Sequence, residues 1–88
     1  MDIVHQPESR RFTYQEDGHT AHLDYRDENG RLNFHHTWVP PELGGRGIAS
    51  ALARHALDHA RSEKRRVIPS CSFVAGYIEK HPEYRDLL

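Results

Sequence analysis

The stretch Val39-Pro40-Pro41-Glu42-Leu43-Gly44-Gly45-Arg46-Gly47-Ile48-Ala49 joins two runs of different periodicity, and its reading decides the fold. Before it, a β-type run ends at Trp38-Val39; after it, a helix-type run begins near Arg46 and continues to about Ser62. Two prolines end the strand, because proline has no N–H for a ladder and fixes its own φ. Three glycines then open backbone conformations closed to other residues. A loop almost free of side chains thus meets the first turn of a helix, where unpaired N–H groups and the positive dipole end suit an anion such as a phosphate. Arg46 adds a fixed positive charge. A tight turn at a helix entry would use the same glycines. Other phosphate motifs fit poorly: the Gly-Lys-Ser/Thr ending of a P-loop is missing, and Gly45-Arg46-Gly47 lacks the third glycine of a dinucleotide fingerprint.

Working back from the loop, Arg31 to Val39 alternates Leu32, Phe34, His36 and Trp38 with Asn33, His35, Thr37 and Val39, which predicts a strand with the first set on one face. Asn29-Gly30 and Asp17-Gly18 are hairpin signals. Between them Ala21, Leu23 and Tyr25 alternate with His22, Asp24 and Arg26, and before Asp17 Phe12 and Tyr14 alternate with Arg11, Thr13 and Gln15. A three-stranded antiparallel meander is predicted.

Forward of the loop, Ile48, Ala49, Leu52, Ala53, Ala56, Leu57 and Ala60 form one wide apolar helical face, and its alanines imply close approach to a sheet. Arg66 to Cys71 reads as a short strand interrupted at Pro69. Paired parallel to the strand ending at Val39, it makes the helix a right-handed crossover. Ser70 or Ser72 can cap a second helix over about Ser72 to His81, stopped by Pro82, with Phe73, Val74, Tyr77 and Ile78 toward the core. The fold class is α+β: meander, helix, short parallel strand, C-terminal helix, in a single domain over residues 1–88.

Composition narrows the function classes. With 36% hydrophobic and 28% charged residues the chain reads as a globule with a limited core, and no apolar run is long enough to span a membrane, so the expected location is the cytoplasm. A net charge of −1 argues against a general nucleic-acid binder despite Lys64-Arg65-Arg66, a cluster suited to a solvated helix end. One cysteine excludes an internal disulfide and a multi-cysteine metal centre. Eight histidines would carry the charge from −1 to about +7 if all were protonated. His55 and His59 stand one helical turn apart, yet no third ligand has a telling spacing, and no metal is expected.

A strand, Val-Pro and then Gly-Arg-Gly-Ile-Ala opening a helix resembles the acetyl-CoA pyrophosphate loop of the GCN5-related N-acetyltransferases. The likeness is greatest to a group of very small members, through His36-Thr37-Trp38-Val39-Pro40, Glu42 to Ala49, Pro69-Ser70-Cys71 and Tyr77 to Tyr84, and it covers about residues 12 to 86. The resemblance implies a minimal acetyltransferase fold that transfers an acetyl group from acetyl-CoA to an amine, on a small molecule or a protein. It implies pyrophosphate binding by backbone N–H groups from Leu43 to Ile48, with Leu43, Gly44, Gly45, Arg46, Gly47, Ile48 and Ala49 as the cofactor loop. It further implies a pantetheine arm between the strands ending at Val39 and Cys71, where Trp38, Val39 and Cys71 would meet the thioester. A monomer or weak homodimer is expected.

Two departures from the family pattern bear on chemistry. Glu42 stands where Gln or Arg usually begins the loop, and Ile78 stands where a tyrosine often protonates the departing thiolate, so the acid is either missing or replaced by Tyr77, Tyr84 or Cys71. The base is assigned to His36, since an imidazole titrates near neutrality. Cys71 is the acid, or a nucleophile forming an acyl-enzyme, or a packing residue beside the channel. A second reading, an acyl-CoA-binding module without turnover, follows from the missing tyrosine and the short chain.

Overall fold

The computed structural model describes residues 1–88. Five strands lie side by side in chain order: β1 (Val4–Gln6), β2 (Arg11–Glu16), β3 (His19–Glu28), β4 (Arg31–Trp38) and β5 (Val67–Ile68). Helix α1 (Ile48–Ser62) connects β4 to β5, and α2 (Ser72–Lys80) follows, then a 3₁₀ segment (Pro82–Leu87). Asp17-Gly18 and Asn29-Gly30 both take positive φ, at 51° and 75° and at 53° and 85°. That backbone twist suits two-residue hairpins, so β2, β3 and β4 form the expected antiparallel meander. Strand β5 pairs parallel to β4 through Leu32↔Val67 and Asn33↔Ile68, making α1 the crossover. The architecture is α+β.

The meander has a fourth strand that the sequence reading omitted. Strand β1 pairs antiparallel to β2 through Val4↔Thr13, His5↔Phe12 and Gln6↔Arg11. Its three residues are too few to show an alternation, and the His5 ring stacks on Phe12 at 4.3 Å instead of supplying an aliphatic signal.

A β-bulge overturns the expected face assignment of β4. Asp24 pairs with His36 and Tyr25 with Phe34, so His35 is an extra residue that reverses the alternation beyond it. Leu32 and Phe34 enter the core as expected, but His36 and Trp38 lie opposite Asp24 and His22 on the far face of the sheet, and both are exposed. Thr37, paired with the buried Leu23, turns toward the helix side.

Helix α1 covers the inner face with Ile48, Leu52, Ala53, Ala56, Leu57 and Ala60 buried over Phe12, Ala21, Leu23 and Phe34. Truncating the fully buried Leu52 to Ala would cost about 2–5 kcal/mol. Near the C-terminus Tyr84 Oη donates to Asp58 Oδ1 at 2.7 Å, and Arg61 forks onto both carboxylate oxygens of Asp86 at 3.0 Å. These contacts tie the 3₁₀ segment to α1.

Four further details differ from the sequence reading. Helix α1 starts at Ile48, two residues after Arg46, because its N-cap Gly47 is left-handed at φ 73°. The strand predicted over Arg66 to Cys71 keeps only Val67 and Ile68, with Pro69 ending it. Neither Ser70 nor Ser72 caps α2: Cys71 occupies the N-cap position with no side-chain cap bond. Phe73, expected in the core, is 38% exposed.

Candidate cofactor and catalytic site

The loop after β4 takes its shape from a few groups. Pro41–Leu43 form a 3₁₀ turn closed by Leu43 N–H to Pro40 O at 2.9 Å and Gly44 N–H to Pro41 O at 3.0 Å, and the buried Leu43 side chain anchors it. Gly45 and Gly47 then sit at φ 75° and 73°, where a side chain is strained. The first backbone bond of α1 runs from Ala51 N–H to Gly47 O. The N–H groups of Gly45, Arg46, Gly47, Ile48, Ala49 and Ser50 therefore have no backbone partner. The predicted donor set from Leu43 to Ile48 is displaced along the chain, because the 3₁₀ turn uses its first two members and the helix entry adds Ala49 and Ser50.

Beside these donors lies a cavity of about 310 Å³, bounded by Val39, Leu43, Gly44, Gly45, Gly47, Ile48 and Ala49, with Phe73 of α2 across from them. The Arg46 side chain is not part of its wall. Its guanidinium is ion-paired to Glu16 of β2, and the Tyr14 hydroxyl donates to the same carboxyl. That hydroxyl, together with the Arg46 charge, holds Glu16 below the usual carboxylate range. Glu42, 3.8 Å from the His19 ring, leans toward the β2–β3 turn. Both acidic groups that border the loop thus have cationic or potentially cationic partners.

Beyond the bulge β4 and β5 part. Pairing ends at Asn33↔Ile68, and the last link across is Cys71 N–H to Phe34 O at 2.8 Å. Within the resulting gap Cys71 Sγ lies 3.4 Å from Thr37 Oγ1. Burial pushes the Cys71 thiol up, but the Thr37 hydroxyl and the backbone N–H groups of Val74, Phe73 and Thr37 outweigh it, and the net shift is downward. The N-cap position at α2 explains two of those donors. Thr37 was missed in the sequence reading, since only the bulge turns it to this side.

The other expected residues are distributed differently. His36 sits on the far face of β4 from Thr37, with its ring 5.8 Å from that of His22, whose Nδ1 is 2.9 Å from Asp24 Oδ1. Trp38 shares that face and is 48% exposed. Tyr77 lines a second cavity between α1 and α2 and stacks on His81 at 4.0 Å; Cys71 borders neither this cavity nor the first. Burial pushes the Tyr77 hydroxyl up. His55 and His59 lie against Phe12, and no group of three metal-ligating side chains exists in the structure.

A parallel crossover opening on a bare glycine loop with unpartnered backbone N–H groups, and a split beyond a bulge in the preceding strand, define an acyltransferase-type fold. The chain belongs to the GCN5-related N-acetyltransferase family, whose description matches residues 11–87. It is similar to protein NATD1 of Gallus gallus, with 32% identity over 85 residues that cover 93% of this chain and 77% of the relative. Protein NATD1 of Homo sapiens is 32% identical over 83 residues, covering 91% and 74%. Among solved structures it is similar to the NMR solution structure of a GCN5-like protein from Staphylococcus aureus, with a TM-score of 0.75 at 32% identity, over 98% of this chain and 85% of that one. No helix is long and apolar enough to cross a membrane.

Proposed function

We propose that the protein is an acetyl-CoA-dependent N-acetyltransferase of the cytoplasm, acting as a single domain on an amine of a small molecule or a protein. The observation that carries this reading is the continuity of two features. The unpartnered N–H groups from Gly45 to Ser50 lie beside the loop cavity, and Val39 in its wall is two residues along the chain from Thr37, which meets Cys71 at 3.4 Å in the gap between β4 and β5. The donors fit a pyrophosphate, which needs many N–H groups and no side chain in the way.

Bound acetyl-CoA supplies an activated acyl group as a thioester. The chain's own part is positional and protolytic. Val39 and the β4 edge orient the arm, and the far-face imidazole of His36 takes the proton of the incoming ammonium, so that the amine lone pair can attack the carbonyl carbon. As the C–S bond breaks, the Cys71 thiol gives its proton to the leaving thiolate. Its lowered pKa and the N–H groups around it suit a group that must lose a proton readily. Tyr77, in the other cavity, is assigned to the cofactor side of α2.

Calorimetric titration of acetyl-CoA into wild type and Gly47→Val tests binding, and CoA release with an amine panel tests turnover. Binding by wild type alone, with release well beyond one equivalent, is expected. Absence of binding would make the loop only a turn; binding with at most one equivalent released would favour an acyl-CoA sensor. An acetyl adduct on Cys71 in intact mass spectra would replace direct transfer by an acyl-enzyme.

A further inference from the structure

The sheet face turned away from the helices carries an ordered block of polar side chains. Three strands meet there in register: Arg11 of β2 pairs with Asp24 of β3, and Asp24 pairs with His36 of β4. In the next row Thr13 pairs with His22, and His22 with Trp38. Asp24 holds a partner on each side. Arg11 Nε lies 3.0 Å from its Oδ1, and Arg11 Nη2 donates to its Oδ2 at 3.3 Å. His22 Nδ1 stands 2.9 Å from Oδ1. The Asp24 and His22 side chains are only 15% and 18% exposed, whereas His36 is open to solvent.

This contact selects a tautomer. A carboxylate only accepts, so neutral His22 carries its proton on Nδ1 and its lone pair on Nε2. Protonation of Nε2 would give an imidazolium already paired with Asp24, while the two Arg11 contacts keep that carboxylate in place. His36 has the opposite character: it is accessible, and its ring centre lies 5.8 Å from that of His22 at 53° between planes. One bridging water spans such a gap between polar groups.

The chemistry asks for a second carrier. An ammonium nitrogen that becomes an amide gives up two protons, one before it attacks and one after the C–N bond forms. A single exposed imidazole has to unload between them. Resting on the reading of His36 as the group that meets the ammonium, we propose that His22 is a positioning residue of the transfer, which takes each proton on from His36 and releases it to solvent. The proton leaves the nitrogen for His36, crosses through the water to His22 Nε2 as His36 returns to neutrality, and departs as His22 returns to its Nδ1–H form. No electrons change hands, and the N–H bond pair stays on the nitrogen as the attacking lone pair.

Two measurements test this. Long-range ¹H–¹⁵N correlation of the histidine rings, with His22→Gln to assign the signal, should show neutral His22 as the Nδ1–H tautomer in wild type and lose that preference in Asp24→Asn. CoA release with the amine panel should show kcat of His22→Gln down roughly tenfold at pH 7 with KM for acetyl-CoA unchanged. The deficit should shrink toward pH 9.5, where the acceptor amine arrives with fewer protons to remove, and added imidazole should restore part of the rate to His22→Ala. Circular dichroism on each variant checks the fold. An Nε2–H tautomer of His22 in wild type, or a kcat deficit that stays constant with pH, would overturn the relay while the acetyltransferase reading stood. Wild type that never releases more than one equivalent of CoA would sink that reading and the relay with it.

Discussion

Cys71 Sγ lies 3.4 Å from Thr37 Oγ1 across the gap where β4 and β5 separate. Both residues owe their place to irregularity: Thr37 to the bulge at His35, and Cys71 to Pro69, which ends β5 before α2 begins. The hydroxyl and three backbone N–H groups favour the thiolate over the thiol.

The rate of Cys71 alkylation against pH should accordingly show an inflection below the ordinary thiol value. Thr37→Val removes one donor to the thiolate, so the inflection should move up. A Thr37→Val profile that coincides with wild type would mean that the backbone donors alone set the shift.

Substitution at the left-handed glycines should separate folding from cofactor binding. Gly47→Ala strains the helix N-cap by about 1 kcal/mol, a loss visible in denaturant titration without unfolding. Gly45→Val adds a side chain beside the free N–H groups, and acetyl-CoA affinity should fall at least roughly tenfold by calorimetry. Unchanged affinity in Gly45→Val would place the phosphates elsewhere.

Glu16 competes with any phosphate for Arg46. In the structure the guanidinium is committed to that carboxylate and stays off the cavity wall. Glu16→Gln should raise acetyl-CoA affinity by a few fold and steepen its loss with salt, because a freed charge contributes to anion binding. Weaker binding in this variant would show that Glu16 organises the loop instead of competing with its ligand.

Acid sensitivity should trace to β1. Burial, then the neighbouring His59 and His55, push His5 below the usual imidazole value, while Glu63 and Glu8 act weakly the other way. A folded-state pKa below the unfolded one means that the unfolded chain takes up its proton first as pH falls. Stability is therefore full above the unfolded value, about 6.5, and declines as pH drops through the interval down to the folded value. His5→Phe keeps the stacking on Phe12 and removes the titration, at the cost of the 2.7 Å hydrogen bond to Tyr25 Oη. Urea midpoints at pH 7.5 and 5.0 should differ less in His5→Phe than in wild type; an equal difference would assign the acid loss to other histidines.

Much of the frame was legible in local pattern. The Asp-Gly and Asn-Gly pairs demanded left-handed turns, the alternation in β2 and β3 placed Phe12, Ala21, Leu23 and Tyr25 inward, and the 3.6-residue period of α1 placed Leu52, Ala56 and Leu57 on the sheet. Apolarity alone does not bury Phe73, because its position on α2 faces two cavities. Glu16 as partner of Arg46 was invisible, since thirty residues separate them and only the folded β2–β3–β4 meander brings them together.

The sequence by itself determined the meander, the glycine loop, the crossover helix and the family, because turns, periodicity and helix ends are encoded within a few residues of one another. Only the tertiary structure decided which face of β4 each site residue occupies. A single inserted residue, His35, exchanges every position after it, carrying His36 and Trp38 away from the helices and Thr37 toward Cys71. A two-residue period carries no record of such an insertion: it is settled by pairing with β3, whose buried Leu23 and Tyr25 hold their own alternation against the core.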